Sequence, residues 1–142
     1  MRIEIINGPN LNLLGLREPA VYGHNSFESF LEMLKRSYPE IQFGYFQSNW
    51  EGALVDQLHL VGMDGAHIII NPGGYSHTSV AVADAISAIT SKCIEVHISQ
   101  IYQRESYRQI LTTASRCIGT ISGFGLNSYQ LAVEAFRNLE AT

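Results

Sequence analysis

Five short strand-type runs, separated by stretches of helical periodicity, constrain this chain most. Ile3-Glu4-Ile5-Ile6, the alternating Ile41, Phe43 and Tyr45, His67-Ile68-Ile69-Ile70, Cys93-Ile94-Glu95-Val96-His97-Ile98 and Gly119-Thr120-Ile121-Ser122-Gly123 read as strands. The third is nearly all apolar, the pattern of a strand covered on both faces. Between the first two, Phe27, Phe30, Leu31 and Leu34 line one side of a helix over Ser26–Arg36, with Asn25 or Ser26 as its cap and Glu28 in its first turn. Ser48-Asn49-Trp50-Glu51 carries the capping-box pattern ahead of a helix with Leu54, Leu58 and Val61 on one face, ended by Gly62 and Gly65. A third helix is expected over Thr78–Thr90 and a short one over Arg104–Thr113. Asn127 is expected to cap a last helix, with Leu131, Ala135, Phe136 and Leu139 turned inward. Such alternation implies an α/β fold with a parallel sheet and helices on both sides. Five units favour a flavodoxin-like three-layer sandwich with strand order 2-1-3-4-5.

The 142 residues fit one domain, 1–142, with no linker dividing it. A net charge of -4 with only 9 Lys plus Arg leaves no basic stripe, which argues against a nucleic-acid partner. No apolar run approaches the roughly 18 residues of a membrane span. A strand directly after Met1-Arg2 leads us to expect no signal peptide and a cytoplasmic protein. Cys93 and Cys117 are expected as free thiols. The absence of C-x-x-C and H-x-x-x-H spacing argues against a metal.

In sheets of this order, ligands bind beyond the carboxyl ends of strands 1 and 3, where the winding reverses. Those ends carry Asn7-Gly8-Pro9-Asn10 and Asn71-Pro72-Gly73-Gly74, and strand 4 ends at His97-Ile98-Ser99. Asn10, Asn71 with His77, and His97 with Ser99 should therefore converge on one edge. The connection after strand 1, about residues 11–24, far exceeds the usual 2–6 residues of a βα loop. It holds Arg17 and Tyr22 between Gly15, Pro19 and Gly23. An arginine lowers the pKa of a nearby phenol, so this loop reads as a lid that delivers a tyrosinate. Arg104 and Arg108 stand four apart, one face of a helix. His24, His59 and His67 read as structural or exposed, and Trp50 as core or subunit contact.

No G-x-G-x-x-G, P-loop or G-x-S-x-G pattern is present, and strand 1 is not followed by acidic residues. From the residues alone, a binding module for a flavin or a phosphoryl signal and a non-catalytic oligomeric scaffold stand as alternatives to an enzyme. A scaffold would have no need of Arg17 and Tyr22 together.

Four motifs, G-P-N-L-N-L-L-G-x-R-E-P-x-x-Y-G from Gly8, N-P-G-G-Y-S-H-T-S from Asn71, E-V-H-I-S from Glu95 and R-E-x-x-R from Arg104, carry a resemblance. In order and spacing they resemble the type II 3-dehydroquinate dehydratases. The resemblance implies a flavodoxin-like fold, no cofactor or metal, and a homo-oligomer, a dodecamer built as a tetramer of trimers. It implies anti elimination of water from 3-dehydroquinate through an enolate, giving 3-dehydroshikimate. That reaction serves aromatic amino acid biosynthesis or quinate catabolism. By resemblance, Tyr22 is the base and Arg17 sustains its phenolate. Asn10 holds a water on the enolate oxygen. His97 protonates the departing hydroxyl, with Glu95 orienting its ring. Ile98 and Ser99 take the substrate carboxylate, and Asn71, His77 and Arg108 its hydroxyls. Asp84 reaches a neighbouring subunit's site. The sequence departs from the family's commonest pattern at Gly74, Ser76 and Gln100, and Gln109–Cys117 is less typical.

Overall fold

Alternate side chains along the central strands feed two separate cores. The computed structural model describes residues 1–16, 20 and 26–142. Its strands are β1 (Arg2–Asn7), β2 (Gln42–Gln47), β3 (His67–Asn71), β4 (Cys93–His97) and β5 (Gly119–Ser122). They form an all-parallel sheet in the order β2-β1-β3-β4-β5. The helices are α1 (Phe27–Ser37), α2 (Glu51–Val61), the single turn α3 (Tyr75–Thr78), α4 (Val80–Ala88) and α5 (Asn127–Glu140). Ile3, Ile5, Ile69, Ile94 and Val96 face one way and pack with α1 and α5. Ile6, Ile68, Ile70 and Cys93 face the other way and pack with α2 and α4. The period-two alternation of a strand thus builds the three-layer sandwich of a flavodoxin-like fold. Among the described residues, no helix is long and apolar enough to cross a membrane.

Several local expectations hold. Ser26 caps α1 by accepting from the Ser29 amide at 3.2 Å, with Glu28 in the first turn. Leu54, Leu58 and Val61 are the buried face of α2, and Gly62 ends it. His67 is buried, its ring stacked on Phe136.

Others need correction. The capping box at Ser48 does not form. Ser48 Oγ accepts instead from the Trp50 amide at 3.0 Å, a local turn, and Trp50 is itself the uncapped N-cap of α2. Trp50 is 78% exposed, so it is not core. The helix expected over Thr78–Thr90 is broken at Ser79, whose extended backbone ends α3 and whose Oγ accepts from the Val82 amide at 2.9 Å to start α4. No α-helix spans Arg104–Thr113. A 3-10 turn at Ser106–Gln109 gives way to extended chain, because the amides of Thr112 and Thr113 bond to the Ser76 carbonyl rather than within a helix. Asn127 is the first residue of α5 and not its cap. The Ser128 amide donates instead to the Gly125 carbonyl at 3.1 Å, a turn permitted by the positive φ of Gly125. The buried face of α5 is Tyr129, Ala132, Val133 and Phe136, which leaves Leu131 and Leu139 exposed.

What turns α5 this way also closes the winding-reversal point. Asn7 and Asn71 pair in register at the ends of β1 and β3. The fully buried Tyr129 hydroxyl donates to Asn7 Oδ1 at 2.8 Å and accepts from Asn71 Nδ2 at 3.0 Å. Burial pushes the Tyr129 phenol far above its ordinary pKa, so it stays a neutral donor. Just beyond, the two loops touch backbone to backbone. A Cβ on Gly8 would lie 2.4 Å from the Pro72 carbonyl oxygen.

Three stability measurements follow from this geometry. Tyr129→Phe strands two buried amide groups and should lower unfolding stability in urea by about 1–3 kcal/mol. Gly8→Ala should cost about 1–3 kcal/mol through forced backbone shift. Gly52→Ala, on a stretch of α2 where a new Cβ meets nothing within 4 Å, should raise stability by roughly 0.5–1 kcal/mol.

Candidate functional site

Because β1, β3 and β4 run parallel, their carboxyl ends open on the same edge, and a cleft with about 750 Å³ of empty space, including its open mouth, lies there. The β1 loop supplies Asn10 and an apolar wall of Leu11, Leu13 and Leu14. The end of β3 supplies Asn71, and α3 supplies His77. The end of β4 brings His97, Ile98 and Ser99, and the following turns bring Arg104 and Arg108. The convergence expected from topology is therefore present for Asn10, Asn71, His77, His97 and Ser99, and Ile98 and Arg108, named by resemblance, line the same cleft. Arg17 and Tyr22 lie outside the described residues. Asp84 is exposed on α4 and is not part of this chain's cleft.

Two imidazoles define the floor. Glu95 and His97 point to the same face of β4, as residues two apart on a strand must. The fully buried Glu95 places Oε1 2.7 Å from His97 Nε2, while Oε2 accepts from Thr113 Oγ1 at 2.6 Å. An acceptor carboxylate at Nε2 means that this nitrogen carries a proton, which leaves Nδ1 as the lone-pair nitrogen of the neutral ring. The His77 ring lies 6.3 Å from that of His97, at 25° to it. His77 Nδ1 donates to the Ile110 carbonyl at 2.8 Å, which leaves Nε2 as the lone-pair nitrogen of the neutral ring. Burial holds the His77 pKa below that of a free imidazole. Its hydrogen bond to Ile110 opposes the shift, and the nearby His97 and Arg108 add to it.

The remaining polar groups are held in place. Asn10 sits in the left-handed region at φ 69°, and its amide donates to Asn49 Oδ1 at 3.0 Å. Asn71 donates to Tyr129 and accepts from the Gly73 amide at 3.1 Å, leaving one amide hydrogen for a ligand. Arg104 Nη1 donates to Ser99 Oγ at 3.3 Å. Arg108 Nε donates to Glu105 at 2.7 Å. Glu105 is pushed down to about 2, first by a hydrogen bond from its own backbone amide and then by Arg108. The cleft thus carries two guanidinium groups at one end and two imidazoles on its floor, a setting for a small polyhydroxylated anion. Among the described residues, no group of His, Cys, Asp and Glu side chains could hold a metal ion.

Arg104, singled out with Arg108 for its four-residue spacing, lines the cleft as well. Sequence reasoning missed two contributors. Tyr129 was hidden in a helix whose leucines drew the hydrophobic face elsewhere. Thr113 follows no motif, and its role depends wholly on where the chain after Arg108 returns.

Comparison with known proteins falls in line with this geometry. A family model described as "Dehydroquinase class II" matches residues 1–137. A 3-dehydroquinate dehydratase from an Exiguobacterium species is 49% identical, with 95% of this chain and 93% of the relative covered. One from Caldicellulosiruptor saccharolyticus is 46% identical, with 97% of each covered. The crystal structure of a type II dehydroquinase from Butyrivibrio crossotus superposes with a TM-score of 0.92 at 40% identity, covering 96% of this chain and 97% of that one. With the fold, the cleft and the sequence in agreement over nearly its whole length, the chain belongs to the class II dehydroquinase family.

Proposed function

We propose that this protein is a type II 3-dehydroquinate dehydratase, a lyase that removes water from 3-dehydroquinate to give 3-dehydroshikimate. The observation that carries the reading is the buried Glu95–His97 pair at 2.7 Å on the floor of a cleft bounded by Asn10, Asn71, Ser99 and Arg108. The proton lost lies next to a ketone and the group lost is a hydroxyl. Such an elimination needs a base, a stabiliser of the enolate and a proton donor for the leaving oxygen.

Tyr22 takes the proton as a phenolate sustained by Arg17. A free phenol, with a pKa of about 10, needs that help near neutral pH. The electrons move into the ketone to form the enolate, whose oxygen is held through a water on Asn10. The enolate collapses, the carbon–oxygen bond breaks, and His97 gives a proton to the hydroxyl, which leaves as water. Glu95 fixes the His97 ring. The substrate carboxylate lies at the Ile98 and Ser99 amides and the Ser99 hydroxyl. The ring hydroxyls lie against the second amide hydrogen of Asn71, His77 and Arg108.

Asp84 acts at the site of a neighbouring subunit. In support, Val80 on the same helix is 63% exposed on the isolated chain, an apolar residue suited to subunit contact. The assembly is a dodecamer, a tetramer of trimers, of single-domain chains in the cytoplasm. The enzyme works without cofactor or metal, in aromatic amino acid biosynthesis or in quinate catabolism.

Growth of conjugated-enone absorbance when 3-dehydroquinate is added to the purified chain is the first test, and its absence would reject the reading. Tyr22→Phe should lower kcat by at least about 100-fold, the scale of general-base catalysis, with substrate binding largely kept. Near-normal turnover would remove the base assignment.

His77 gives a pH test. Its pKa in the folded protein is below the unfolded value of about 6.5, so the unfolded chain binds the extra proton first. The stability that this contributes is present above about pH 6.5 and is lost as the pH falls below it. The urea midpoint of the wild type should therefore drop on acidification more than that of His77→Gln.

A further inference from the structure

The segment after Arg108 carries no motif, yet it bonds to one imidazole of the cleft and to the carboxylate that holds the other. Residues 110–113 cross beneath α3 as a strap. The Ile110 carbonyl accepts from His77 Nδ1 at 2.8 Å, and Thr112 Oγ1 lies 3.4 Å from the His77 carbonyl. The amides of Thr112 and Thr113 share the Ser76 carbonyl, at 2.7 and 3.4 Å. Thr113 is wholly buried, and its hydroxyl ends 2.6 Å from Glu95 Oε2. Ser76 in turn bonds to the Gly73 carbonyl at 2.9 Å, so the strap is tied to the β3 loop that forms the cleft wall.

A buried carboxylate with one oxygen unpaired can rotate about its last torsion, which is soft and roughly two-fold. It also leaves acceptor capacity unmet where no water replaces it. Thr113 removes both liabilities: one oxygen is fixed by the hydroxyl, and the other is thereby presented to His97. We propose that Thr113 is a positioning residue of the elimination. By donating to Glu95 it holds the carboxylate that sets which nitrogen of His97 carries the fixed proton and which delivers the mobile one. This inference rests on His97 being the proton donor in the function proposed above. It adds a third member, Thr113–Glu95–His97, contributed by a stretch with no recognisable pattern.

The strap is held to Ser76 by backbone amides, so Thr113→Val keeps its shape and those anchors while deleting only the donor. The three proteins to compare are the wild type, Thr113→Val and Thr113→Ser, each as the full chain in its native assembly. Thr113→Val should lower kcat for dehydration by about 10- to 100-fold, the effect of losing one hydrogen bond to a charged group that organises a proton donor, with KM little changed. Exchange of the proton next to the ketone with solvent deuterium, followed by NMR, should persist in the valine variant, because the base half of the reaction is untouched. Thr113→Ser, which restores the hydroxyl, should recover most of the turnover.

Valine at wild-type kcat would overturn the inference. So would parallel loss of dehydration and proton exchange together with a lowered melting temperature, or a serine variant no better than valine. If the valine chain does not fold, Thr113→Ala against Thr113→Ser carries the same comparison. A wild-type chain that leaves 3-dehydroquinate unchanged would overturn the functional reading itself, a result separable from any difference among the variants.

Discussion

Two asparagines facing each other at the point where the sheet reverses its winding set the terms for the rest of the molecule. Parallel strands end with carbonyls and amides that no neighbour satisfies, and here the ends of β1 and β3 diverge toward opposite layers. The Asn7 and Asn71 carbonyls find the amides of Ser48 and Gly8, at 3.0 and 2.7 Å, and the two side chains fill the gap between the strand ends. Tyr129 closes the arrangement from α5 with one hydroxyl that donates to the first and accepts from the second. This small network joins elements 58 and 122 residues apart in sequence. It also goes with the rotation of α5: the face that brings the Tyr129 phenol between the two amides is the one that buries Ala132, Val133 and Phe136, and it leaves Leu131 and Leu139 outside.

With the strand ends pinned, the loops beyond them have little freedom, and the cleft inherits their positions. Gly8 lies directly against Pro72 and leaves no room for a side chain, so the β1 and β3 loops part only after that contact. Asn10 and His77 emerge on either side of the opening. On the floor, similar groups receive opposite treatment. His77 is given a carbonyl partner and burial, which favour the neutral ring. His97 is given the carboxylate of Glu95, a partner that suits a ring carrying charge.

The layered architecture was legible because it follows from periodicity alone. Ile68-Ile69-Ile70 and the stripe Phe27, Phe30, Leu31 and Leu34 admit few other folds. The cleft was legible because strand order dictates where polar strand ends gather. What could not be read were features where two partners compete for one group. Ser48 and Glu51 have the letters of a capping box, but the Ser48 hydroxyl is taken by the Trp50 amide next door. Thr112 and Thr113 could have extended a helix from Arg104, but the Ser76 carbonyl, 36 residues before Thr112, captures their amides. Asn127 is a strong capping residue by type. The turn at Gly125 serves the same amides, and Asn127 enters the helix instead. In each case the residues allowed two outcomes; a neighbouring turn decided the first and last, and a contact distant in sequence decided the second.

Anti elimination imposes a last constraint on how the two halves of the site divide the work. The base and the proton donor must approach opposite faces of the substrate ring. Among the described residues that line the cleft, the imidazoles are His77 and His97, with ring centroids 6.3 Å apart and 25° between their planes. His77 is tied to Ile110 at the nitrogen that carries its proton, and its neighbour is the better placed donor. A second group on the same side cannot serve as the base for a proton leaving the far face. In the function proposed above that base is Tyr22, a phenol that a guanidinium such as that of Arg17 would help to ionise. The described residues account for the other half of the work: a floor fixed by strand ends and by the 110–113 strap, with Glu95 bonded to His97 at 2.7 Å and to Thr113 at 2.6 Å.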